Sequence, residues 1–363
     1  MRVGNVNYQT IWPKDKDTVQ VIDQSKLPFE FHVMDIKSFE DAYTAIKNMI
    51  VRGAPLIGVT ASFGVYLALN NATERNWKKQ MKEAVERLKS ARPTAINLEF
   101  AIKQHKERID HIQSLEEARN LARNIAEELL ESEKENCKKI GEYGLPLIEE
   151  IAKEKEGEPV NVLTHCNAGW LAAIDYGTAT APIYLAHDQG INLHVWVDET
   201  RPRNQGARLT AWELEKHGIP YTVIADNTGG LLMQHGMVDL VITGSDRTTA
   251  NGDVANKIGT YLKALAAKDN DIPFYVAVPL SSIDLDIEKG VNGIPIEQRH
   301  GDEVKFIEGY HNGRLTKVLL TPENSRVANY GFDVTPAKYV TSLITEKGAC
   351  KPNKKEIKKL FKS

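Results

Sequence analysis

The segment Val160-Asn-Val-Leu-Thr-His-Cys-Asn-Ala-Gly169 decides the fold class of this chain. It opens with a nearly continuous run of apolar and β-branched residues, which is typical of a strand buried on both faces of a sheet. His165 and Cys166 follow, and Asn167-Ala-Gly169 is a small-residue turn that leads toward a helical pattern. The segment therefore predicts the first strand and turn of an alternating strand–helix fold.

This alternation of short apolar strands and helical stretches continues through the C-terminal half. The strand candidates are Val160–Thr164, Leu193–Val197, Tyr221–Ala225, Leu240–Thr243 and Phe274–Val278. The helical candidates between them are Ala172–Ala186, Ala207–His217, Leu231–His235 and Asn256–Lys268. Because strands that alternate with helices pair in parallel, and apolar strands need cover on both faces, this half predicts a parallel sheet between layers of helices.

The N-terminal half has a different pattern, since residues 38–153 are mainly helical in their apolar spacing. Ser114-Leu-Glu-Glu117 has the pattern of a capping box, in which the serine and the glutamate satisfy free amide groups at the start of a helix. The charged stretch 153–159 ends in Gly-Glu-Pro and predicts a linker. We therefore expect an α/β protein with a small, mainly helical N-terminal domain (residues 1–153) and a parallel-sheet C-terminal domain (residues 154–363).

Composition narrows the classes of function. The 363 residues are 42% hydrophobic and 26% charged, with a net charge of −3, which gives no reason to expect nucleic acid or anionic membrane as a partner. No stretch approaches the roughly 20 apolar residues that cross a bilayer, and the first residues lack the pattern of a signal peptide. Cys137, Cys166 and Cys350 are widely spaced and odd in number, which predicts free thiols and a cytoplasmic protein.

Polar and ionisable side chains follow four of the predicted strands. They are His165-Cys-Asn167, Asp198-Glu-Thr-Arg201, Asp226-Asn-Thr228 and Ser245-Asp-Arg247. In an open parallel sheet, ligands bind beyond the carboxyl ends of the strands. Turns at this edge need Gly, Asn or Asp, but they need neither a thiol nor so many charges. The pattern therefore predicts a functional site at this edge of the sheet.

Cys166 and Asp246 are the two groups at this edge that suit catalysis. Cys166 precedes a turn into a predicted helix, where free amides stabilise a thiolate, although a free cysteine is often only a buried packing residue. Asp246 follows a strand, where desolvation raises the pKa of a carboxyl group and suits it to acid–base catalysis; an N-cap or an ion pair with Arg247 is the structural alternative. His165 is expected to point to the opposite face, since neighbours in a strand alternate.

Groups that could bind an anion are predicted at further positions. Asn256 and Lys257 are expected to begin a helix, so that its free amides and the ammonium group hold a phosphate. Arg52-Gly53-Ala54 combines a fixed charge with small residues that let a ligand approach the backbone. Arg92 and Gln205 lie in short motifs that carry little weight alone.

Several well-known signatures are missing from the sequence. There is no Gly-x-Gly-x-x-Gly after the first strand of the alternating half, no Walker motif and no Gly-x-Ser-x-Gly elbow, so dinucleotide binding, nucleotide triphosphate binding and hydrolase chemistry lose support. The histidines and cysteines lack the usual ligand spacing, so no metal and no cofactor are predicted. What remains is acid–base chemistry by a thiol and a carboxylate on a small anionic substrate.

An ordered set of short motifs runs along nearly the whole chain. The motifs are Val51-Arg-Gly-Ala-Pro-Leu-Ile-Gly58, Ser90-Ala-Arg-Pro-Thr-Ala95, Leu163-Thr-His-Cys-Asn-Ala-Gly169, Asp198-Glu-Thr-Arg-Pro202, Gln205-Gly-Ala207, Gly244-Ser-Asp-Arg-Thr-Thr-Ala-Asn-Gly252, Asn256-Lys-Ile-Gly-Thr-Tyr261, Ile294-Pro-Ile-Glu297 and Phe332-Asp-Val-Thr-Pro336. Together they resemble the methylthioribose-1-phosphate isomerase family.

The resemblance implies a helical N-terminal domain, a Rossmann-like C-terminal domain and a homodimer. It also implies the conversion of 5-methylthioribose 1-phosphate, a small sugar phosphate, into 5-methylthioribulose 1-phosphate in methionine salvage. By the same matching, Cys166 and Asp246 form the catalytic pair, with Asp246 as the proton donor. The residues that would hold the substrate are Arg52, Gly53, Ala54, Arg92, Gln205, Asn256 and Lys257.

The chain departs from the common family pattern beside both catalytic positions. Many members carry Thr-Gly after Cys-Asn, where this chain has Ala168-Gly169-Trp170, and many carry Ala at Ser245. These differences leave the 5-substituent open, so 5-deoxyribose 1-phosphate is an alternative substrate. Ribose 1,5-bisphosphate would need a second phosphate site, and a binding subunit like those of initiation factor 2B would need neither catalytic residue. The acid and base steps, and proton or hydride transfer, also stay open.

Overall fold

In the computed structural model, which describes residues 1–92 and 95–362, short strands precede the helices of the N-terminal part. The strands are β1 (Arg2–Val3), β2 (Val6–Asn7), β3 (Ile11–Pro13), β4 (Val19–Ile22) and β5 (Val33–Ile36). The helices are α1 (Phe39–Lys47), α2 (Ala54–Asn70), α3 (Trp77–Ala91), α4 (Ile96–Ile109) and α5 (Leu115–Glu154). β3, β4 and β5 form an antiparallel sheet. Pro93 and Thr94 of the 90–95 motif lie outside the described residues.

The C-terminal part alternates strands and helices. Its strands are β6 (Val160–His165), β7 (Leu193–Asp198), β8 (Tyr221–Ile224), β9 (Leu240–Thr243), β10 (Arg247–Thr249), β11 (Val254–Lys257), β12 (Phe274–Ala277), β13 (Ile283–Asp284), β14 (Phe306–His311), β15 (Arg314–Leu319), β16 (Phe332–Thr335), β17 (Ser342–Thr345) and β18 (Gly348–Cys350). Its α-helices are α6 (Ala181–Asp188), α7 (Ala211–His217), α8 (Thr228–Gln234), α9 (Thr260–Asp269), α10 (Gly290–Gly293), α11 (Asp302–Lys305) and α12 (Lys354–Leu360). A π-helical turn, Gly206–Thr210, leads into α7.

The large sheet has the strand order β18-β17-β12-β9-β6-β7-β8. The pairs from β17 to β8 are all parallel, and the β17–β18 pair is antiparallel. When β6, β7, β8, β9, β12 and β17 are numbered from one to six, the order is the 3-2-1-4-5-6 arrangement of doubly wound sheets. The order reverses between β6 and β9, so a crevice forms at their carboxyl ends. The predicted Rossmann-like parallel sheet is confirmed.

Helix α2 is the centre of the N-terminal core. Every residue from Ala54 to Leu69 is buried, because the helix is apolar on all sides and has to be covered by its neighbours. Further core clusters cover the two faces of the large sheet. Helix α5 belongs to both parts, since Leu130 packs in the N-terminal core whereas Ile140 and Ile148 pack against the sheet.

The five predicted strands agree with β6, β7, β8, β9 and β12 to within one residue at each end. Half of the capping box predicted at Ser114 is confirmed, because its hydroxyl group accepts the amide of Glu117 at 3.4 Å at the start of α5. The reciprocal bond from the amide of Ser114 to the side chain of Glu117 is not formed among the described residues. The confirmed features could be predicted because each depends on a short stretch of sequence: a continuous apolar run for a buried strand, and a capping residue for the start of a helix.

Two predicted helix starts are wrong. Asn256 and Lys257 end strand β11, whose backbone pairs with β10 and β16, and α9 begins only at Thr260. The helix predicted from Ala172 begins at Ala181, because the chain first passes through a 3₁₀ turn and a loop in which Tyr176 and Gly177 adopt positive φ angles of 60° and 79°. A helix does not continue through left-handed residues.

Candidate active site

A cavity lies at the carboxyl ends of β6 and β9, where the strand order reverses, and the first turn of α2 contributes to its wall. All nine residues predicted for the site line this cavity: Arg52, Gly53, Ala54, Arg92, Cys166, Gln205, Asp246, Asn256 and Lys257. The structure therefore brings together side chains from the helical part and from the sheet, although up to 205 residues separate them in the sequence (257 − 52).

Arg52, Gly53 and Ala54 form the entrance to helix α2. Both terminal nitrogens of Arg52 are held by Asn167, with Nη1 donating to Oδ1 at 2.5 Å and Nη2 donating to the carbonyl oxygen at 2.7 Å. Gly53 has a φ of 98°, and a Cβ atom there would lie 2.2 Å from the carbonyl oxygen of Ala172, so only glycine fits. The free amides of this 17-residue helix begin beside a fixed cation, which suits an anion such as phosphate.

Cys166 directly follows β6 and has a φ of 64°, a left-handed conformation that costs roughly 1–3 kcal/mol in a non-glycine residue. Its carbonyl oxygen accepts the hydroxyl group of Thr210 at 2.6 Å, which helps to fix this turn. Burial raises the pKa of the Cys166 thiol, whereas the charges of Arg52 and Lys257 oppose that rise. The expected stabilisation of a thiolate by a following helix is therefore wrong: α6 starts far along the chain, and burial dominates.

Asp246 lies between β9 and β10, and its backbone amide donates to the carbonyl oxygen of Ala255 at 2.9 Å. Burial raises the pKa of its carboxyl group, and the positive charges of Lys257, Arg52 and Arg92 partly offset this rise. The prediction of a raised pKa through desolvation is confirmed. A carboxyl group that keeps its proton to higher pH is suited to donate it to a substrate oxygen.

Lys257 and Arg92 supply further positive charge. Burial lowers the pKa of Lys257, although Cys166 and Asp246 oppose the change. Burial also lowers the pKa of Arg92, whose Nη2 atom lies 3.4 Å from Glu297. Within the described ranges, Nε and Nη1 of Arg92 are buried without a hydrogen-bond partner. Unpaired buried donors beside a cavity are available to an anionic ligand.

Gln205 and Asn256 add neutral polar groups. The side-chain oxygen of Gln205 is buried and has no partner among residues 1–92 and 95–362, so it can accept a hydroxyl group of a ligand. Nδ2 of Asn256 donates to the hydroxyl group of Thr260 at 3.0 Å. Because Asn256 and Lys257 lie in a strand, they reach the cavity as side chains and supply no helix amides.

Three further lining residues were not predicted as members of the site. Asn167 holds Arg52, Phe332 lies under the ammonium group of Lys257 at 5.3 Å, and Arg299 closes one side of the cavity. Asn167 lies in the family motif Leu163–Gly169, and Phe332 begins the family motif Phe332–Pro336. The family motifs could therefore have indicated both residues. Arg299 follows a quoted motif by two residues and has no local feature that marks it.

His165 also lines the cavity, but both nitrogens of its ring are engaged by other residues. Nδ1 lies 2.5 Å from a carboxylate oxygen of Asp198, and Nε2 lies 2.9 Å from the carbonyl oxygen of Ile258. Lys263 lies 2.8 Å from the same oxygen of Asp198. His165 therefore ties the end of β6 to the end of β7 and to the turn that follows Lys257.

Two classes of feature are missing from the described parts of the chain. Residues 1–92 and 95–362 contain no group of three His, Cys, Asp or Glu side chains placed to hold a metal ion. None of the helices described for the chain combines the length and apolarity that crossing a membrane requires.

Comparison with known proteins identifies the family. The model of the Initiation factor 2 subunit family matches residues 50–352. A methylthioribose-1-phosphate isomerase of Desulfatibacillum aliphaticivorans is 55% identical over 364 residues, covering 99% of both chains. The chain belongs to the methylthioribose-1-phosphate isomerase family. The resemblance seen in the motifs is thereby confirmed.

Solved structures support membership of the methylthioribose-1-phosphate isomerase family. The 5-methylthioribose 1-phosphate isomerase of Pyrococcus horikoshii OT3 aligns with a TM-score of 0.85 and 39% identity, over 98% of this chain and 96% of that one. The translation initiation factor eIF-2B subunit delta from A. fulgidus aligns with a TM-score of 0.80 and 38% identity, over 98% and 100%. The methylthioribose-1-phosphate isomerase family thus shares its fold with a protein named as an initiation factor.

Proposed function

We propose that this chain is an aldose–ketose isomerase that converts 5-methylthioribose 1-phosphate into 5-methylthioribulose 1-phosphate in methionine salvage. The observation that carries the proposal is the presence of Cys166 and Asp246 in one cavity, beyond the ends of adjacent strands at the point where the strand order reverses. The relatives named methylthioribose-1-phosphate isomerase support 5-methylthioribose 1-phosphate as the substrate. A thiol and a carboxyl group beside several cations suit acid–base chemistry on a phosphorylated sugar.

The reaction has a particular chemical difficulty. The phosphate ester on C1 prevents the sugar ring from opening spontaneously to an aldehyde. Asp246, whose pKa is raised by burial, donates its proton to the ring oxygen as the C1–O bond breaks. Cys166, as its thiolate, then takes the proton from C2 and returns it to C1, while the C2 hydroxyl group gives its proton to the carboxylate of Asp246 and becomes the ketone. The positive charges of Arg52 and Lys257 favour the thiolate that starts this transfer.

The phosphate group would be held at the start of α2. Arg52 and the free amides of the helix lie on one side, and Lys257 and Arg92 complete the positive surroundings. Gln205 and Asn256 are left for the hydroxyl groups of the sugar. This division follows from charge. The cations are assigned to the doubly charged phosphate group, and the neutral side-chain amides of Gln205 and Asn256 are assigned to the neutral hydroxyl groups.

A second phosphate has little support at this site. Arg299 is the additional cation of the cavity, but Nη1 lies 3.0 Å from Glu297, and Nε and Nη2 donate to Glu303 at 2.9 and 2.8 Å. A cation held by two carboxylates adds little attraction for a second dianion. We therefore place ribose 1,5-bisphosphate behind 5-methylthioribose 1-phosphate and 5-deoxyribose 1-phosphate. The likeness to the eIF-2B subunit delta keeps a binding subunit as the alternative outside catalysis.

The deciding experiment is a steady-state comparison of the three sugar phosphates in D₂O, with the ketose products observed by NMR. The highest kcat/KM is expected for 5-methylthioribose 1-phosphate. Deuterium at C1 of the product would support proton transfer through Cys166, whereas its complete absence would support hydride transfer. If the folded protein turned over none of the three compounds, the isomerase proposal would be wrong and the binding-subunit function would take its place.

We further propose a cytoplasmic homodimer built from a helical domain (residues 1–153) and a catalytic domain (residues 154–363). The free thiols of Cys137, Cys166 and Cys350 support a reducing compartment. The hairpin of β14 and β15 supports a second copy as partner, since a two-stranded hairpin is marginally stable alone and this one exposes a series of apolar side chains. They are Tyr310, Leu315, Val318 and Leu319, followed directly after β15 by Leu320.

A further inference from the structure

The turn that carries Cys166 is held from behind by the helical segment 206–217. The hydroxyl group of Thr210 donates to the carbonyl oxygen of Cys166 at 2.6 Å and accepts Nδ2 of Asn167 at 3.1 Å. The left-handed conformation of Cys166 is strained, and such strain persists only where surrounding groups over-determine it. The contacts to this segment are therefore needed to keep the turn in place.

The carboxylate of Glu213 is held by four hydrogen bonds beside this turn. Glu213 is 2% exposed, and each of its carboxylate oxygens accepts two hydrogen bonds. Oε1 accepts Nδ2 of Asn167 at 2.9 Å and the amide of Leu171 at 2.8 Å. Oε2 accepts the amide of Trp170 at 2.9 Å and the hydroxyl group of Tyr184 at 2.7 Å. This arrangement requires donors on all four sides.

The carboxylate of Glu213 determines how the side chain of Asn167 is oriented. Because Oε1 can only accept, the NH₂ group of Asn167 has to face it, and the oxygen Oδ1 has to face the opposite way. That oxygen accepts Nη1 of Arg52, whose Nη2 binds the carbonyl oxygen of the same asparagine. A continuous chain of contacts thus joins Glu213 to the cation at the start of α2.

We propose that Glu213 is a positioning residue: through Asn167 it fixes the turn that carries Cys166 and directs the guanidinium group of Arg52 into the cavity. Glu213 is absent from the cavity wall, so it acts only through its partners. The main chain of the turn packs closely against the carboxylate, since a Cβ atom on Gly169 would lie 1.8 Å from Oε2. The proposal deepens the isomerase function and rests on it for the kinetic part of its test.

Three variants separate positioning from stability. Glu213→Ala removes all four acceptor contacts. Glu213→Gln keeps an oxygen for Asn167 and Leu171. Its NH₂ group can donate to the hydroxyl group of Tyr184 but faces the amide of Trp170, so this variant should lose stability and yet restore part of the lost function. Tyr184→Phe is the matched control, because it removes a bond to the far oxygen of the same carboxylate and leaves the contact to Asn167 intact.

The test has three readouts, measured well below the unfolding temperature of each variant. They are kcat/KM, the Kd of inorganic phosphate by calorimetry, and the pH dependence of Cys166 alkylation by iodoacetamide, followed on the Cys166 peptide by mass spectrometry. For Glu213→Ala we expect a loss in kcat/KM of about 100-fold from a misplaced catalytic turn. We also expect weaker phosphate binding and alkylation that requires higher pH, since Arg52 no longer favours the thiolate. Tyr184→Phe should lower only the unfolding temperature.

Each outcome decides the proposal. If Glu213→Ala lost as much thermal stability as Tyr184→Phe but kept wild-type values in all readouts, Glu213 would be a packing residue. If the wild-type protein turned over no sugar phosphate, the isomerase function would fail, while phosphate binding and alkylation would still test the positioning role. If Glu213→Ala did not fold, Asn167→Leu would take its place, because it removes the side chain that joins Glu213 to Arg52. Wild-type phosphate binding and alkylation in that variant would overturn the proposal.

Discussion

At the scale of single residues, burial sets the chemistry of the cavity. It raises the pKa of both Cys166 and Asp246 and lowers that of Lys257, so each group is biased toward its neutral form. The mutual attraction between the cations and the two acids opposes these shifts. The cavity therefore favours the protonated thiol and carboxyl group, which can donate protons, over their anions.

Replacing either acid should abolish most of the turnover without unfolding the chain. Cys166→Ser and Asp246→Asn are nearly isosteric, and the loss of a general acid or base lowers kcat by about 10³-fold. Steady-state kinetics together with circular dichroism and thermal unfolding would measure both effects. Cys350→Ser, in a strand at the edge of the sheet, is the control. Near-normal turnover in either site variant would remove that residue from the proposed mechanism.

Removing the charge of Lys257 should change how kcat/KM depends on pH. This charge lowers the pKa of Asp246 and of Cys166 against the effect of burial, so its removal raises both pKa values further. In Lys257→Met, the alkaline limb of the kcat/KM profile should therefore move to higher pH, in addition to a general loss of activity from weaker phosphate binding. The exposed Lys268→Met is the control. A limb that stays in place or moves to lower pH would contradict the proposed coupling.

At the scale of elements, the sequence predicts what is local and misses what depends on pairing. The strands β6, β7, β8, β9 and β12 are found because strands covered on both faces are continuously apolar. The segment with Asn256 and Lys257 looks like a helix start, yet it is a strand, because its partners β10 and β16 decide its conformation and β16 lies far along the chain. Arg299 is missed for the same reason, since only the fold brings it to the cavity.

Helix α5 carries a buried acid that predicts how stability depends on pH. Burial raises the pKa of Glu133 from 4.5 to about 7, against the opposing effect of a hydrogen bond from the hydroxyl group of Ser281 at 2.8 Å. The folded state therefore holds the proton more tightly than the unfolded state. Its contribution to stability is complete below pH 4.5 and is lost as the pH rises to about 7, a change of roughly 3 kcal/mol.

The measurement is the free energy of unfolding in urea between pH 4.5 and 8 for the wild type and for Glu133→Gln. The wild type should lose stability relative to the variant across this range, because glutamine stays neutral at every pH. Glu150→Gln, an exposed position on the same helix, is the control and should follow the wild type. Parallel curves for wild type and Glu133→Gln would show that Glu133 is ionised in the folded protein.

At the scale of the whole molecule, the site exists only because the two parts of the chain meet. The C-terminal part supplies Cys166 and Asp246 at the ends of β6 and β9, and Lys257 from β11 of a separate four-stranded sheet. The helical part supplies Arg52 and Arg92. Helix α5 keeps these parts together, since it packs in the cores of both. The family motifs contain all of these residues. They become neighbours only because the start of α2 packs against the point of the large sheet where the strand order reverses.

The hairpin of β14 and β15 leads to a prediction about assembly. Tyr310 stacks on Phe29 at 5.4 Å, yet it remains 57% exposed, and Leu315 and Val318 are each 47% exposed. Exposed apolar patches of this kind mark interaction sites, and a second copy would cover them. We expect the wild type to have twice the mass of one chain in light scattering, and the double variant Leu315→Glu/Val318→Glu to have the mass of a single chain.

The control for this prediction is Leu262→Glu, which places the same charge on an apolar side chain that is 55% exposed on helix α9, outside the hairpin. This variant should remain a dimer. A monomer with Leu262→Glu beside an intact dimer of the hairpin variant would move the interface to the face of α9. A monomeric wild type would contradict the proposed homodimer.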